Sequence, residues 1–436
     1  MAIPIVIESP LVSSTAFPHP QPLCRGEREA VAVTPPLITP AFLTNPYPTY
    51  AALREAGPLH WSEEFFGGAW LLTRHTDIEA VLRDDVHFSA QRTGGWVMRC
   101  AQDDRAQLQS FQSLFARAML FLDAPDHTRL RSVMNAGFRA DALERIRPDV
   151  ERWIDTRLST CHGPFDFMAQ IARPLPAYVI ATLMGIEPAD SSAHETFMAW
   201  ADDLAAFIGA PQPSLEQAHQ AQTRLLAMAQ YFEQIIATKR RQPDDGLVSR
   251  LIQGQAQGAV HSHIELLAQC AMLLFAGIET TRNFLGNALH AALTQPGAWA
   301  QLAAQPELLP NAIRELLRYD SPVQYTGRRV KADLIVHGQA LARGDLVIAL
   351  IGAANRDERI YRAPDELNFN RRAAPMLSFG SGAHVCIGAA LTLMEAQMLF
   401  GKLLRRTPPT LAHATAQWNG NPLYRGLRAL WLVDGG

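Results

Sequence analysis

The sequence predicts a mainly α-helical protein with a minor β region, and three observations support this fold class. Helical periodicity dominates the chain after residue 45, strand-like segments are few and short, and strands do not alternate with helices as they do around a parallel sheet. The 436 residues are 48% apolar and 19% charged, which is enough to bury a sizeable core. A nucleotide-binding sheet is excluded as the organising principle, because no GxGxxG opens a helix and no GxxxxGKS or GxxxxGKT occurs.

The first 40 residues contain eight prolines, a density that is incompatible with regular helix. We therefore expect a proline-rich leader over residues 1–40, extended and mobile in solution, followed by one domain over residues 41–436. Order is expected from about Asn45, where a short helix begins and is stopped by Gly57-Pro58. Residues 69–77 then predict a strand that leads into a capped helix.

The remainder of the domain is predicted to be mostly helical. The segments with helical periodicity include residues 129–138, 141–161, 215–241, 262–295, 306–318 and 388–406. Strand-like material is limited to residues 334–338 and 345–354. The expected architecture is a single large helix-rich domain with small sheets.

Charge and cysteine usage narrow the class of protein. The net charge of −3 gives no long-range attraction to nucleic acid or to an anionic membrane. The five cysteines are odd in number, scattered and without a CxxC pair, which argues against a disulfide framework or a zinc ribbon. The N-terminus lacks a basic region, and the longest apolar run, residues 266–278, is too short for a membrane span. We expect a soluble, cytoplasmic protein.

The densest chemical signal surrounds Cys386. Phe379 and the glycines at 380 and 382 precede it in a turn-forming run, and Gly388 opens a strong helical pattern. A thiol at a helix N-terminus has its thiolate stabilised by free N–H groups. Such a cysteine could be a nucleophile, a redox sensor or a metal ligand, or a buried structural residue in a tight turn. A thiolate in a glycine-walled loop suits a large flat cofactor, and cysteine-ligated haem iron fits best.

Residues 379–388, FGSGAHVCIG, match the pattern FGxGxHxCxG and resemble the haem-binding signature of the cytochromes P450. The resemblance extends from about residue 45 to residue 432 and is greatest to the soluble bacterial class. It implies the cytochrome P450 fold, haem b as cofactor and Cys386 as the axial thiolate ligand of the iron. It also implies that Phe379, His384 and Gly388 are cofactor-binding residues.

A second motif, LLFAGIETTRN, places Glu279 and Thr280 on a long apolar helix, where they are costly to bury. Ala276 and Gly277 leave space one turn earlier, and Thr280 can donate to the Ala276 carbonyl and open the helix locally. The resemblance makes Glu279 and Thr280 the acid–alcohol pair of an oxygen-binding helix, and Ala276 of the same helix a cofactor-binding residue. Glu279 would deliver protons and Thr280 would stabilise the oxygen complex. A capped or kinked core helix is the alternative.

Basic residues elsewhere are expected to neutralise the two haem propionates. His127 and Arg131 are four residues apart and share one helix face. A basic pair of this kind is normally solvated, but the resemblance implies that it binds propionate together with Arg328 and His384. Met376 stands where the family often has a histidine, so one propionate contact is missing or replaced.

Two features of the scaffold are open to more than one interpretation. Glu315 and Arg318 could form a surface ion pair, or the family's buried ExxR element paired with Arg371. After the cysteine, residues 391–395 lack the arginine that the family usually has, which puts the helix electrostatics in doubt.

The resemblance implies a haem monooxygenase that inserts one oxygen atom from O2 into a mid-sized, largely apolar substrate, by hydroxylation or epoxidation, in secondary metabolism. Desaturation or oxidative ring coupling is an alternative, as is a non-catalytic haem-binding sensor. Because the sequence has no flavin or iron–sulfur signature, electrons are expected from a ferredoxin and a ferredoxin reductase. Ordinary solvation is the preferred interpretation of four basic residues that could dock the donor: Arg129, Lys402, Arg405 and Arg406. Substrate contacts are expected from residues 93–102, 207–214, 323–326 and 421–426.

Overall fold

The structure is a computed structural model that describes residues 36–92, 101–186, 191–372, 375–413 and 415–433, with the backbone alone for residues 191–194. Residues 1–35 of the predicted leader therefore lie outside the described residues. Order begins before the expected Asn45, because the N–H groups of Leu37 and Ile38 donate to the Glu64 carboxylate at 2.6 and 3.1 Å. Thr39 then caps a short helix that buries Phe42.

The described residues form sixteen α-helices of four residues or more. They are α1 Pro40–Thr44, α2 Tyr47–Ala56, α3 His75–Arg83, α4 Gln102–Gln107, α5 Gln109–Phe115, α6 Asp126–Asn135, α7 Ala140–Leu158, α8 Pro174–Met184, α9 Ser191–Gly209, α10 Leu215–Arg241, α11 Leu247–Ala256, α12 His263–Thr294, α13 Ala298–Ala304, α14 Leu309–Tyr319, α15 Ile351–Ala354 and α16 Ala389–Leu403. Other helical segments are the π-helical turn Met168–Ala172 and the 3-10 turns Met119–Phe121, Ala136–Phe138, Pro306–Leu308 and Gly382–His384.

The strands are short, and each belongs to one of four small sheets in the described chain. They are β1 Leu59–Ser62, β2 Ala69–Leu72, β3 Phe88–Ser89, β4 Pro164–Asp166, β5 Thr326–Val330, β6 Leu334–Val336, β7 Gln339–Leu341, β8 Leu346–Ala349, β9 Thr410–Leu411, β10 Gln417–Trp418, β11 Leu427–Ala429 and β12 Trp431–Val433. The largest sheet has the order β1-β2-β8-β5-β3, in which only β2 and β8 are parallel. The mainly α class with small sheets is confirmed.

The predicted helices are found with small shifts of their ends, but the strand expected over residues 345–354 is wrong in its second half, because β8 ends at Ala349 and α15 follows it. The helix expected at residues 262–295 is α12, and the helix expected at 215–241 has those bounds. Ser214 begins the latter with a capping box, in which its side chain and that of Gln217 satisfy each other's backbone N–H groups. The strand expected over residues 69–77 ends at Leu72, because α3 starts at His75.

Helix α12 is the centre of the helical side of the molecule. It packs against α8, α9, α10 and α14, and 23 of its 32 residues are buried. It is also the one helix of the described chain that is long and apolar enough to cross a membrane, but 78% of its apolar window is buried inside the protein. A core helix that is apolar on all sides has this character when other helices surround it.

A buried ion-pair network joins α14 to the segment that precedes residues 379–388, the cysteine loop. Glu315 accepts two hydrogen bonds from Arg318, at 2.7 and 2.8 Å, and further ones from Arg371 Nε at 3.0 and 3.2 Å. Glu315 and Arg318 are 4% and 3% exposed, so the surface interpretation is wrong and the buried ExxR interpretation is confirmed. Arg318 Nη1 also donates to the Asn355 carbonyl at 2.9 Å, which fixes that residue beneath the loop.

We predict that Glu315→Gln lowers the free energy of unfolding by about 3–5 kcal/mol, because it leaves two arginines without their buried carboxylate. Asp149→Asn is the control, since it removes a carboxylate from the exposed pair with Arg152 and should cost no more than about 0.5 kcal/mol. Urea unfolding followed by circular dichroism measures both. Equal losses in the two variants would contradict the role assigned to the network.

Candidate active site

The loop that carries Cys386 is held by its own backbone and by the elements beneath it. The Cys386 N–H donates to the Phe379 carbonyl at 2.8 Å, and Gly380 N–H donates to the Leu377 carbonyl at 2.8 Å. Asn355, fully buried, accepts from the Leu377 N–H and donates to the Ser378 hydroxyl, both at 2.8 Å. These contacts hold both ends of the loop, so the position of the thiol is defined before any ligand binds.

Close packing requires glycine within this loop. Gly382 has φ +72°, and a Cβ there would lie 2.6 Å from the Leu82 carbonyl oxygen and 2.8 Å from Arg83 Cα, at the end of α3. Gly380 has a similar φ of +71°, but a Cβ would have only one neighbour, at 3.7 Å. The two glycines therefore serve different purposes: one permits the turn, and the other also permits contact with α3.

Cys386 lies just before α16 and is accessible from a cavity of about 270 Å³. Although Cys386 is exposed to the cavity, the protein around its thiol removes water from it and so raises its pKa, whereas the Gly388 N–H and the charge of Arg131 act to lower it. The expected stabilisation of the thiolate by the helix end is thus outweighed in the protein alone, because desolvation is the larger effect. The other described cysteines, Cys161 and Cys270, are buried and do not line this cavity.

The cavity lies between α12 and the cysteine loop. The sequence-predicted residues that line it are Ala276, Thr280, His127, Arg131, Arg328, Phe379, His384 and Cys386. Gly388 does not line it but adjoins the sulfur, since a Cβ there would lie 3.9 Å from Cys386 Sγ. Apolar side chains from outside the loop that also line it include Met119, Leu120, Met272, Leu273, Val323 and Ile351.

One wall of this cavity concentrates basic groups without acidic partners. The rings of His127 and His384 lie 4.0 Å apart between centroids, and the buried Nε2 of His127 has no hydrogen-bond partner. Desolvation first, and then the charges of neighbouring basic groups, lower the pKa of His384 to about 3. Desolvation also lowers the pKa of Arg328 to about 9 and that of Arg131 by a smaller amount. No Asp or Glu is among the described residues that line the cavity.

The acid–alcohol pair is split between two environments. Thr280 lines the cavity and its hydroxyl donates to the Ala276 carbonyl at 3.3 Å, as predicted. Glu279 does not line it: the carboxylate is 1% exposed, accepts from Asn283 at 2.8 Å and lies 2.5 Å from Arg282 Nη2. Burial raises the pKa of Glu279, and Arg282 and Asn283 oppose that shift.

The predicted opening of α12 at this site is wrong, because helical structure is continuous from His263 to Thr294. The space expected beside Gly277 is also absent: a Cβ there would lie 2.7 Å from Ile180 Cγ1 of α8. Gly277 therefore allows two helices to approach, while Ala276 alone leaves room on the cavity side.

Comparison with known proteins identifies the family. The cytochrome P450 family model matches residues 71–421. The chain is 34% identical to the polyketide biosynthesis cytochrome P450 PksS of Bacillus subtilis, over 89% of this chain and 96% of PksS. It is 35% identical to cytochrome P450 107B1 of Saccharopolyspora erythraea, over 89% of this chain and 95% of that protein. The chain belongs to the cytochrome P450 family.

A solved structure supports the same conclusion. The myxobacterial cytochrome P450 CYP267B1, in complex with myristic acid, is similar with a TM-score of 0.82 and 29% identity, over 92% of this chain and 99% of that one. Members of the family are haem monooxygenases with an axial cysteine thiolate, so this P450 is an oxidoreductase of that class. Bacterial relatives such as PksS act in secondary metabolism.

The residues of this P450 fit the haem that its family uses. A dianionic cofactor with two propionates would compensate the wall of basic groups and accept from the unpartnered His127 Nε2. The Cys386 sulfur of the loop would be the ligand of the haem iron, and Gly388 lies beside that sulfur.

The segments expected to contact substrate have different outcomes. Val323 and Thr326 line the cavity, as predicted. Residues 207–214 and 421–426 do not, because they pack on each other: Asn421 Nδ2 donates to the Ala205 carbonyl at 3.1 Å, and a Cβ on Gly209 would clash with Asn421. Of residues 93–102, positions 93–100 lie outside the described residues.

Other cavity residues were missed by the sequence analysis. Arg92, Gln269 and Thr392 all line the cavity. Thr392 stands in the segment that departs from the family pattern, and its hydroxyl is 3.3 Å from that of Thr281 on α12. The one sequence signal for Thr392 is that it is a polar residue within the apolar pattern of α16.

Three of the four basic residues considered for docking an electron donor have internal partners. Arg129 binds the Glu265 carboxylate at 2.7 and 2.9 Å, Lys402 binds a carboxylate of α7, and Arg406 donates to backbone carbonyl groups. Arg405 is exposed. The first three hold neighbouring elements together, so they are poor docking charges.

We predict that Gly382→Ala destabilises the protein more than Gly380→Ala. Both variants incur the left-handed backbone cost of roughly 1–2 kcal/mol, but only Gly382→Ala forces a Cβ against α3. Urea unfolding and the haem content of the purified proteins provide the comparison. Equal stabilities would mean that the contact with α3 relaxes without cost.

Proposed function

We propose that this P450 inserts one oxygen atom from O2 into a mid-sized, largely apolar organic substrate, by hydroxylation or epoxidation, in secondary metabolism. Haem b, held by Cys386, is the cofactor. The observation that carries the proposal is that a single described cysteine opens into a cavity whose opposite helix presents a threonine hydroxyl. When bound, haem with a thiolate ligand supplies the activation of O2.

The basic wall is proposed to hold the haem propionates. His127, Arg131, Arg328 and His384 offer imidazole and guanidinium donors from three separate parts of the chain. Arg328 retains a positive charge at neutral pH, since its pKa of about 9 is above 7. Ala276, Phe379 and Gly388 contribute shape: each is small or flat where the cofactor must approach backbone.

The apolar side chains that line the cavity support a largely apolar substrate. Met272, Leu273, Val323 and Ile351 come from α12, the segment before β5, and α15, and they surround the cavity with surface that favours hydrocarbon. Gln269 adds a polar group, but its amide is engaged with backbone at Met119 and Arg117. The similar CYP267B1 was solved with myristic acid, a ligand of this general character.

Proton delivery is assigned to Glu279. Its carboxyl lies behind Thr280 and is linked through Arg282 to Asp202, whose side chain is 38% exposed. Asp202 thus gives the buried group a connection toward solvent. Burial raises the pKa of Glu279, so the protonated carboxyl is favoured more than it would be in an exposed glutamate. Thr280 presents its hydroxyl to the cavity, where the oxygen can accept a hydrogen bond while its O–H donates to the Ala276 carbonyl.

Electrons are proposed to come from a ferredoxin and a ferredoxin reductase in the cytoplasm. Bacterial members of the family use redox partners of this kind. Among the basic residues considered, the exposed Arg405 is the one that remains available for an acidic partner.

The reduced-plus-CO absorption spectrum tests the cofactor assignment. Wild-type protein reconstituted with haem should show the red-shifted Soret band of a thiolate-ligated haem, and Cys386→Ser should lose it because the ligand is changed. Cys270→Ser is the control, since that thiol is buried away from the cavity. An unchanged spectrum in Cys386→Ser would refute Cys386 as the ligand.

The role of Thr280 is tested by the coupling of NADH use to product. Thr280→Ala should retain haem and the substrate-induced spin shift but divert electrons to hydrogen peroxide, because the hydroxyl that lines the cavity is gone. Thr280→Ser keeps a hydroxyl and should stay coupled. Product formed per NADH at the wild-type level in the alanine variant would show that Thr280 has no such role.

A further inference from the structure

Two guanidinium groups on the basic wall share one backbone acceptor. Arg328 Nη1 donates to the Gly327 carbonyl at 2.9 Å, and Arg92 Nη1 donates to the same oxygen at 3.4 Å. Both side chains line the cavity. Like charges this close repel each other, so the arrangement is unfavourable unless an anion lies between or against them.

Neither guanidinium has an acidic partner among the described residues. The nearest carboxylate to act on Arg328, that of Asp123, is occupied: it accepts from the Ser89 hydroxyl at 2.5 Å and the Ala90 N–H at 2.8 Å. Desolvation lowers the pKa of Arg92 to about 10 and that of Arg328 to about 9, and the charge of Arg92 contributes to the shift of Arg328. Both groups are still cationic at neutral pH, so two uncompensated charges face one cavity.

The pair is held in place by the surrounding fold. Strand β3 pairs with β5 through Phe88 and Val330, which brings Arg92 beside Gly327. A Cβ on Gly327 would lie 3.2 Å from Arg92 Cδ, so the aliphatic part of Arg92 lies directly across this glycine. The guanidinium of Arg92 also lies 5.0 Å from the centroid of the Phe121 ring. Arg92 is therefore held in one position by packing and does not behave as a flexible surface side chain.

We propose that Arg92 and Arg328 form a two-arginine clamp for one carboxylate in the cavity. Guanidinium forks donate paired, charge-assisted hydrogen bonds to carboxylate oxygens, and a carboxylate has two oxygens to offer. Two carboxylates can reach this point: a propionate of the haem, or the acid end of a substrate. Arg92 lies outside the motifs that identify the family, and the clamp with haem as its ligand rests on the proposed function.

Three variants separate these sources. Arg92→Gln removes the charge and Arg92→Lys keeps it without the fork. Arg329→Gln is the matched control, because Arg329 is adjacent on β5 but donates outward to the Gly344 carbonyl at 2.8 Å. Circular dichroism checks that each variant folds, and the reduced-plus-CO spectrum of wild-type protein separately tests the proposed function.

The first measurement is the rate of haem transfer from the ferric protein to excess apomyoglobin. If the clamp binds a propionate, Arg92→Gln should lose haem about tenfold faster or more, the loss in Arg92→Lys should be intermediate, and Arg329→Gln should match wild type. The second measurement is a spin-shift titration with tetradecanoic acid and with 1-tetradecanol. If the clamp binds substrate, Arg92→Gln should lose about tenfold or more of the preference for the acid over the alcohol.

Faster haem loss in Arg92→Gln supports the clamp with propionate as its ligand. A lost preference for the acid, with unchanged haem loss, supports the clamp with a substrate carboxylate. Wild-type behaviour of Arg92→Gln in both measurements overturns the proposal. So does an equal effect of Arg329→Gln, because that result would reflect net charge rather than the clamp.

Discussion

The buried carboxylate of Glu315 is the interaction on which the site depends. It compensates Arg318 and Arg371 in the interior, and Arg318 in turn holds the backbone of Asn355. Asn355 then binds the backbone and a side chain at the start of the cysteine loop. Removing one charge from such a network leaves its partners buried and uncompensated, which is strongly destabilising. The pair of Glu315 and Arg318 can therefore influence the cysteine loop without touching it. The position of Cys386 therefore depends on the buried ion pairs of α14 as well as on the backbone hydrogen bonds of the loop itself.

The described residues that line the cavity include several basic side chains and no carboxylate, so an anionic ligand is needed to balance their charge. His127, His384, Arg131, Arg328 and Arg92 come together with no carboxylate among the described residues that line the space. Desolvation lowers the pKa of each of these groups, and the charges of neighbouring basic groups add to the shifts of His127, Arg328 and His384. A folded protein tolerates this arrangement where an anion restores the balance. The same physics favours haem binding and makes the site sensitive to the loss of a single cation.

Separation of Glu279 from Thr280 follows from helix geometry. Adjacent residues on a regular helix point about 100° apart, and α12 stays regular through the site. One side chain therefore faces the cavity while the other faces Arg282 and the Asp202 side of the molecule. Helix α12 therefore separates the buried carboxyl of Glu279, which is linked through Arg282 to Asp202, from the cavity. A local opening of the helix is not required to place these two side chains in different environments.

The sequence by itself determined the family, the mainly helical class and the residues of the cysteine loop, because those signals are spaced within a few positions and their geometry is set by the local backbone. It left open whether Glu315 and Arg318 were buried, because an i, i+3 spacing is the same on either face of a helix. It missed Arg92, whose meeting with Arg328 depends on the pairing of β3 with β5. It placed residues 421–426 at the substrate, where packing against α9 holds them away. Contacts between distant segments are decided by tertiary packing, since no local pattern records which faces are brought together.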